Sequence, residues 1–352
     1  MTWRTRSMLV EQVITATVPG YFEAMGRMAK GTGDTLDIPA GAVNIGGISK
    51  GYMFEGQTDW DPTAAGNHDG TVSSLTLGDD VYIYACQPSS GSPPEAVLVA
   101  SKNATYPDGG YDETDSRKIG GFHFGKVRTI AQAYSSGATL ATQIVPNSVW
   151  DLKHRPTCDP TGMVEVIDGK LWVDIYLASE DGTAWPETVP LSRYGATPMS
   201  GAEGYASGLD YPRLTHKAGK RVWSYDEFLV AAYGVPQGAA GGTSRHTTGD
   251  HSGYGFDAVS CLNVDQPSGN LWQATSLYFD RGEAANAWND TLNTGKDSAV
   301  AHGQWHGGQF RFALVGGYWG PAAEVGARCV TLRDNPWNVS STNGLRAVCD
   351  SL

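Results

Sequence analysis

The C-terminal stretch, residues 307–352, constrains this chain more than any other segment because its residues fall into two sets that follow different rules. The first set, which we call the frame, is mostly aromatic, apolar and glycine residues with two arginines: Phe310, Phe312, Leu314, Gly316, Gly317, Trp319, Gly326, Arg328, Leu332, Pro336, Trp337, Gly344, Arg346, Val348 and Cys349. The positions between them share no chemistry, and no helical or strand period relates them: Tyr318, Gly320, Pro321, Glu324, Thr331, Arg333, Asp334, Asn338, Ser340, Thr342 and Asn343. A rigid scaffold that presents an arbitrary surface would produce this division.

The composition favours a strand-and-loop protein. The chain has 352 residues, enough for two domains. Charged residues make up 18% and glycine fills 45 positions, a balance that favours strands and turns over helical bundles. An excess of 37 acidic over 25 basic residues gives a net charge of −12. This charge argues against nucleic acid and anionic membranes as main partners, since both require clustered basic residues.

The five cysteines do not form a recognisable framework. Cys86, Cys158, Cys261, Cys329 and Cys349 are widely spaced and no CxxC motif occurs, so a zinc site is not expected. Buried free thiols are the favoured interpretation, although one pair, such as Cys329 with Cys349, could form a disulfide. The N-terminus has no apolar region of the length found in signal peptides, and no run is long enough to span a membrane.

The first third of the chain is predicted to be β-structured. Between residues 38 and 116, short apolar runs alternate with Gly, Pro, Asp and Asn clusters, which indicates a β-sandwich. The clearest strand is VYIYA at 81–85. Residues 1–37 are interpreted as a short attachment or oligomerisation segment. The polar, turn-rich residues 101–116 are predicted to be a linker to the second domain, residues 117–352.

The second domain contains one clear strand, one clear helix and long loops. LWVDIYL at 171–177 alternates as a strand does. Ser224 and Glu227 have the spacing of a capping box, which predicts a helix that Gly234 can end. Residues 238–255 and 280–307 form long polar loops, which are usually functional where they occur. We expect these loops to surround the C-terminal stretch.

Two groups of polar residues could carry chemistry. The first group lies near predicted strand ends and consists of Asp151, Lys153, His154, Arg155 and Asp174. Ion pairing is the favoured interpretation, because no nucleophile and base pair completes this set. The second group consists of the potential metal ligands His246, Asp250, His251 and Asp257. Their spacing fits no known metal site. We therefore expect no catalytic residue, no metal and no cofactor.

Nine motifs carry a resemblance to a known family, and they occur in that family's order over roughly residues 38–352. They are VYIYAC at 81–86, RKIGGFHF at 117–124, SVWDLKHRP at 148–156, LWVDIYL at 171–177, GKRV at 219–222, YDEF at 225–228, SGNLW at 268–272, GGYW at 316–319 and GLRAVCD at 344–350. With these motifs the chain resembles the phage major tropism determinants and, more broadly, the variable proteins of diversity-generating retroelements. One departure is the short N-terminal region, since the best-known member has a longer one that forms a trimeric β-prism.

The resemblance implies a fold class and a binding surface. It implies an α+β, β-rich chain in which a β-sandwich precedes a C-type lectin-fold domain of the formylglycine-generating-enzyme type, with the variable region at about 310–352. It also implies a set of exposed, diversified side chains that bind a host receptor. Matching the family motif places them at twelve positions, which we call the variable positions: Tyr318, Gly320, Pro321, Ala322, Glu324, Thr331, Arg333, Asp334, Asn338, Ser340, Thr342 and Asn343.

The resemblance also implies partners and a location. A receptor-binding protein of this family would be part of the virion, at the tip of a phage tail fibre. Its partners would be a host cell-surface protein or glycan and other tail-fibre components, and it would be a homotrimer. The alternative is a copper oxidase related to formylglycine-generating enzymes that uses Cys329, but that chemistry needs a second cysteine close by, and none lies within a few residues.

The frame itself is interpreted as scaffold. Trp319, Trp337, Arg328 and Arg346 are predicted to be core and support residues rather than ligand contacts. A guanidinium offers five donors, so Arg328 and Arg346 are expected to bridge backbone carbonyls beneath the display surface.

Overall fold

The computed structural model describes residues 18–48, 50–88, 95–201, 206–289, 304–320 and 324–352. The described residues form two compact units. The first contains the residues up to Gly125, together with Thr142–Arg155 and Leu352, and the second contains Lys126–Ala141 and Pro156–Ser351. Most of the predicted attachment segment, residues 1–17, lies outside the described residues. No helix in the described ranges is both long and apolar enough to cross a membrane.

The first unit is built from short antiparallel strands. They are β1 (Phe22–Ala24), β2 (Ala29–Lys30), β3 (Leu36–Ile38), β4 (Gly41–Asn44), β5 (Gly51–Phe54), β6 (Gln57–Trp60), β7 (Asp80–Cys86), β8 (Val97–Ser101), β9 (Ser116–Val127), β10 (Ala141–Ile144) and β11 (Trp150–Asp151), with a 3-10 turn at Pro146–Ser148. Strand orders are β1-β4-β5, β2-β3-β6 and β10-β9-β7-β8, and β11 pairs with β9.

Strand β7 forms where the sequence predicts its clearest strand, and it is an interior strand of the five-stranded sheet. Val81, Ile83 and Ala85 share one face and lie in the hydrophobic core. On the other face, the Tyr84 hydroxyl donates to the Asn103 carbonyl at 2.6 Å, and the Lys118 ammonium lies 4.4 Å from the centre of the Tyr82 ring. Both faces of β7 are therefore covered.

The unit boundary differs from the predicted one. Residues 101–116 do not lead from one unit to the next, because they connect β8 to β9 and both of these strands pair with β7. Residues 22–37 likewise belong to the sheets of the first unit, since β1 pairs with β4 and β3 pairs with β6. Strand pairing over long sequence separations thus extends the first unit beyond both predicted ends.

The second unit combines small sheets with two short helices in its described part. Its elements are β12 (Met163–Ile167), β13 (Leu171–Asp174), β14 (Ala178–Ser179), β15 (Leu191–Ser192), α1 (Tyr211–Lys217), β16 (Arg221–Val222), α2 (Tyr225–Ala231), β17 (Trp272–Asp280), β18 (Ala287–Asn289), β19 (Trp305–Gly307), β20 (Phe310–Val315), β21 (Val330–Thr331), β22 (Asn343–Gly344) and β23 (Ala347–Asp350), with a 3-10 turn at Ile130–Gln132. Strand orders are β12-β13-β23-β16 and β21-β20-β17-β22, with the pairs β14-β15 and β18-β19.

Helix α2 forms where the capping box predicts it. The Glu227 amide donates to the Ser224 hydroxyl oxygen at 3.2 Å, and the Ser224 amide donates to the Glu227 carboxylate at 2.7 Å. These bonds satisfy two free N–H groups of the first turn. Phe228 and Ala231 are buried on one side of the helix. The helix is short, but the cap and the buried side fix its position.

The predicted strand at 171–177 is regular only as far as Asp174. Strand β13 pairs with β12 and with β23. Its Trp172, on the face opposite Leu171 and Val173, is fully buried as they are, so both faces of the strand are covered. Where the strand ends, the carbonyls of Asp174 and Ile175 accept hydrogen bonds from Arg346, and the Ile175 carbonyl also accepts the Asp265 amide at 2.9 Å. Groups distant in sequence therefore bind the backbone at the end of this strand.

Candidate functional site

The C-terminal stretch is built on the sheet β21-β20-β17-β22. Strand β20 is antiparallel to β17, with Leu314 opposite Ala274. Phe312, Ala313, Leu314 and Val315 are fully buried. A strand with both faces covered tolerates few changes in volume. Strand β20 therefore supplies the rigid base of the stretch.

Trp319 is a buried member of the frame, as predicted. Its indole is 8% exposed and lies in a cluster that includes Leu177, Tyr254 and Leu271. Its backbone amide donates to the Asn270 carbonyl at 3.1 Å. Tyr318, the preceding variable position, is half-buried and packs against the same cluster.

Arg346 donates hydrogen bonds to four backbone carbonyls beneath the C-terminal stretch. Its Nη1 donates to the carbonyls of Asp174 and Ile175 at 2.8 and 2.5 Å, and its Nη2 to those of Asp265 and Gln266 at 2.6 and 3.1 Å. Arg346 is fully buried. The prediction that this arginine bridges carbonyls is confirmed.

Two other frame residues are not where the sequence predicts them. Arg328 is exposed, so the prediction that it lies beneath the surface is wrong. Leu332 is 47% exposed, although it belongs to the frame by composition. Both residues lie in the connection between β20 and β22. Among the described residues of this connection, only the two of β21 are paired with a neighbouring strand.

The turn after β20 requires glycine. Gly316 and Gly317 have φ values of 85° and 79°, a region that side-chain-bearing residues rarely adopt. A Cβ at Gly316 would lie 2.6 Å from the Pro267 carbonyl oxygen, and one at Gly317 would lie 2.6 Å from a Val325 methyl group. This turn directs the chain from the buried strand to Tyr318.

The variable positions differ in exposure. Pro321 and Ala322 lie outside the described residues. Gly320, Glu324 and Arg333 are exposed, and the Arg333 side chain is 82% exposed. The half-buried positions are Tyr318, Thr331, Asp334, Asn338, Ser340 and Thr342.

Asn343 corrects the predicted set because its side chain is in the interior. It is only 3% exposed. As part of β22, it pairs in parallel with Trp272. Its side-chain nitrogen has no hydrogen-bond partner among the described residues. A residue enclosed in this way cannot present its side chain to a ligand.

One group of variable positions gathers around Trp272, the first residue of β17. The Trp272 amide donates to the Thr342 carbonyl at 2.9 Å, and its ring lies 6.5 Å from the Tyr318 ring, centre to centre. The hydroxyls of Ser340 and Thr342 are 2.8 Å apart. Tyr318, Ser340 and Thr342 therefore lie near one end of β17, at the β22 edge of the sheet.

A second group lies at the opposite edge. Thr331 is in β21, where it pairs with Leu314. The Phe312 amide donates to the Asp334 carbonyl at 3.1 Å, and the Asn338 side-chain amide donates to the Asp334 carboxylate at 3.3 Å. The edge strands of a four-stranded sheet are separated by three strand spacings, about 14 Å. Six of the described variable positions thus lie at the two edges of one small sheet, three at each edge.

Two supporting residues that the sequence did not reveal are Gly201 and Leu209. The Gly201 amide donates to the Ser340 carbonyl at 3.0 Å, and a Cβ at Gly201 would lie 2.4 Å from the Ser340 amide nitrogen. Similarly, the Leu209 amide donates to the Pro336 carbonyl at 3.2 Å. Nothing in the sequence around Gly201 indicates that this glycine contacts Ser340, because the two residues are far apart in the chain.

A pocket of about 500 Å³ adjoins Glu324. It is lined by Tyr134, Val235, Gln237, Glu324, Val325, Gly326, Ala327, Arg328 and Cys329. Burial, with a smaller contribution from the Glu324 carboxylate, raises the pKa of the Cys329 thiol. This thiol is therefore protonated at neutral pH, whereas the form that binds metals is the thiolate.

The first group of candidate catalytic residues has structural roles. The buried Asp151 carboxylate accepts the amides of Met28, Lys153 and His154 at 3.0, 2.8 and 3.0 Å. It therefore organises a turn of the first unit. Asp174 is in the second unit, where its buried carboxylate lies 2.6 Å from the buried Lys220 ammonium. The structure does not bring the five residues together as one site.

The candidate metal ligands are engaged with one another. The His251 Nδ1 lies 3.3 Å from an Asp257 carboxylate oxygen, and its Nε2 lies 2.9 Å from an Asp265 carboxylate oxygen. Burial alone would lower the pKa of His251, but the Asp265 and Asp257 carboxylates raise it to about 10. A protonated imidazole has no lone pair for a metal. Across the part of the chain that the structure describes, no three His, Cys, Asp or Glu side chains are grouped as ligands.

Comparisons with known proteins agree with this architecture. A family model described as the Mtd second domain matches residues 27–151. The tail fiber receptor-binding protein of Bordetella phage BPP-1 is 33% identical over 302 residues, which are 80% of this chain and 74% of that protein.

Solved structures extend the similarity to nearly the whole chain. The Major Tropism Determinant U1 variant matches with a TM-score of 0.70 and 28% identity, covering 96% of this chain and 84% of the other. The P3c variant matches with a TM-score of 0.71 and 27% identity, covering 97% and 88%. Together with the β-rich second unit and its two described helices, these matches define a protein with a C-type lectin fold. The chain belongs to the major tropism determinant family. The predicted fold class and family are thereby confirmed.

Proposed function

We propose that this protein is the receptor-binding protein of a phage tail fibre, and that the variable positions other than Asn343 form its binding surface. The observation that carries this proposal is the division of the C-terminal stretch. Phe312, Leu314 and Arg346 are fully buried, whereas Arg333 between them in sequence has a side chain that is 82% exposed. Side chains can change at such exposed positions without disturbing the core.

Two exposed or half-buried side chains are suited to anchor a ligand. Tyr318 is held by contacts with Trp272 and Trp319, with ring centres 6.5 and 5.5 Å away. A tyrosine held in this way loses little side-chain entropy on binding. Arg333 provides a charged group, and Tyr and Arg are enriched among the residues that dominate binding energies. The two side chains supply an aromatic and a cationic contact.

The proposed partners are a host cell-surface protein or glycan and the other components of the tail fibre. The related protein of Bordetella phage BPP-1 is a tail fiber receptor-binding protein, which supports a location on the virion. We also propose a homotrimer, because several copies of a weak surface increase the overall affinity by orders of magnitude without new contacts.

A binding role needs no catalytic group, and we propose that the protein is not an enzyme. The alternative, a copper oxidase that uses Cys329, requires a second cysteine close to the first. The described contacts of the Cys349 sulfur are with Thr157, Cys158 and Gly219. The Cys329 thiol instead lies at the pocket beside Glu324. Absence of copper from protein purified with copper in the medium tests this part of the proposal.

Diversification by a retroelement is proposed as the origin of the unpatterned positions. It requires a near-copy of the DNA that encodes residues 310–352 beside a reverse transcriptase gene, with differences only at adenines of the copy. Sequencing the flanking genome provides the test. Differences spread equally over the codons of the frame would contradict diversification while leaving the binding proposal intact.

The binding proposal is tested with purified, fluorescently labelled protein on a panel of bacterial strains. We expect wild-type protein to label at least one strain, and Tyr318→Ala with Arg333→Ala to reduce the labelling at least tenfold. The matched control is Lys170→Ala, which removes an exposed charge from the β12–β13 turn and should leave labelling unchanged. Equal loss in the control, or no loss in the double variant, would refute the assignment of the surface.

A further inference from the structure

The last strand of the chain places one cysteine beside another that lies far away in sequence. Cys349 is in β23 and is 4% exposed. The segment before β12 runs beside this strand, since the Thr157 amide donates to the Asp350 carbonyl at 3.0 Å. The Thr157 hydroxyl is 3.1 Å from the Cys349 sulfur, and the thiol of the next residue, Cys158, hydrogen-bonds with that same sulfur.

The surroundings of the two sulfurs differ in a way that favours reaction between them. Cys158 is half-buried, and its sulfur also lies 3.5 Å from the Met163 sulfur. The hydrogen bond from Cys158, helped by Thr157, lowers the pKa of the Cys349 thiol to about 6. The same hydrogen bond, followed by burial, raises the pKa of Cys158. At neutral pH the two sulfurs therefore share one proton, and the sulfur that gives this proton up becomes the thiolate, which is the reactive form of cysteine.

The other three cysteines lack these features. Burial raises the pKa of Cys86, Cys261 and Cys329. Cys86 lies in β7 of the first unit, and the Cys261 sulfur donates to the Thr129 carbonyl at 3.3 Å. These three thiols serve as internal controls for the reaction of the pair.

We propose that Cys158 and Cys349 are a site of oxidative modification, at which a small-molecule disulfide such as oxidised glutathione converts the two thiols into one disulfide bond. None of the five cysteines is in a disulfide bond in the structure, which corresponds to the reduced form. The disulfide would join the segment before β12 to β23, the strand that follows the last variable position, Asn343. The proposal is independent of receptor binding.

The reaction balances in two exchange steps. In the first, the half-buried Cys158 sulfur passes its proton to the Cys349 sulfur and attacks one sulfur of the small disulfide. A sulfur–sulfur bond forms to Cys158 and a small thiolate leaves. In the second step, the Cys349 sulfur releases its proton and attacks Cys158, which forms the protein disulfide and displaces the second small thiolate. Two protein sulfurs are oxidised, and the small disulfide is reduced to two small thiolates, of which one takes the single proton of the pair and the other takes a proton from solvent.

The experiment is a redox titration of the full chain. Reduced protein is equilibrated with increasing ratios of oxidised to reduced glutathione, quenched with acid, alkylated under denaturing conditions and mapped by mass spectrometry without reduction. We expect one cross-linked peptide pair that contains Cys158 and Cys349, with Cys86, Cys261 and Cys329 alkylated. The disulfide would close a loop of most of the second unit, so the thermal midpoint should rise by about 5–10 °C.

Two variants separate this site from general oxidation. Cys158→Ser replaces a half-buried residue, so it should fold while losing both the cross-link and the rise in midpoint. Cys329→Ser should retain both. The proposal is overturned if all five cysteines remain alkylated at the most oxidising ratio, if Cys158 carries only a glutathione adduct, or if cysteines cross-link without selectivity.

Discussion

The Nε of Arg346 donates to the side-chain oxygen of Gln273 at 2.9 Å, and this bond joins the end of the C-terminal stretch to the strand that supports it. The Gln273 side-chain nitrogen in turn donates to the Pro267 carbonyl at 2.8 Å. Both residues are fully buried. In a buried network each group depends on its partners, so this pair holds the stretch in one position while the side chains above it differ.

Replacing Arg346 should be strongly destabilising. Arg346→Met would remove the guanidinium donors from the carbonyls of Asp174, Ile175, Asp265 and Gln266. The Ile175 carbonyl would keep the Asp265 amide and the Gln266 carbonyl the Gln273 side-chain nitrogen, whereas the Gln273 side-chain oxygen would also lose its Arg346 donor. Each unsatisfied buried group costs about 1–3 kcal/mol, so we expect the free energy of unfolding in urea to fall by at least about 3 kcal/mol. The control Arg333→Met changes an exposed side chain and should stay within about 0.5 kcal/mol. Equal losses would show that Arg346 is not a support.

Alanine substitutions at Trp319 and Thr331 should lower the free energy of unfolding by very different amounts, although the two residues are close in sequence. Trp319→Ala removes a buried indole from the cluster with Leu271 and Tyr254, which should cost about 3–5 kcal/mol. Thr331→Ala changes a half-buried side chain at an edge strand and should cost less than about 0.5 kcal/mol. Thermal and urea unfolding measure both. The reverse ranking would contradict the division into frame and variable positions.

A larger side chain at position 343 is expected to destabilise the protein. Its side chain is 3% exposed, so Asn343→Tyr must displace neighbours and should cost about 1–3 kcal/mol through overpacking. The matched substitution Asn338→Tyr, at a half-buried position, should be close to neutral. The comparison uses urea midpoints of the two variants. A neutral Asn343→Tyr would restore this residue to the set of freely variable positions.

The ion triad of His251 predicts a loss of stability at high pH. The Asp265 and Asp257 carboxylates overcome the effect of burial and raise the pKa of His251 to about 10, above its value of about 6.5 in unfolded chains. The stabilisation is therefore fully present below about pH 6.5 and is lost as pH rises towards 10. Unfolding free energies at pH 6 and pH 10 should differ less in His251→Gln than in wild type. An identical pH dependence in both proteins would refute a charged His251.

Local signals in the sequence predicted several elements correctly. The capping box of Ser224 and Glu227 predicted helix α2, and the short apolar run at 81–85 predicted β7, because each signal depends only on residues nearby in the chain. The role of Arg346 was also predicted, since a buried guanidinium needs several acceptors.

Contacts between distant residues account for what the sequence did not reveal. The continuation of the first unit past residue 116 follows from the pairing of β9 with β7. The burial of Asn343 follows from its pairing with Trp272, and the pocket beside Glu324 includes Tyr134, almost two hundred positions earlier. A single sequence shows which residue stands at each position, but it does not show which distant residue that side chain or strand contacts.

The most direct test of the account is a pair of displayed libraries. One randomises the described variable positions other than Asn343 together, namely Tyr318, Gly320, Glu324, Thr331, Arg333, Asp334, Asn338, Ser340 and Thr342. The other randomises the frame positions Phe312, Leu314, Trp319 and Val348. Each library is heated and the fraction of folded members is counted by protease resistance. The account predicts that most of the first library remains folded and that most of the second is lost. Similar folded fractions in the two libraries would contradict it.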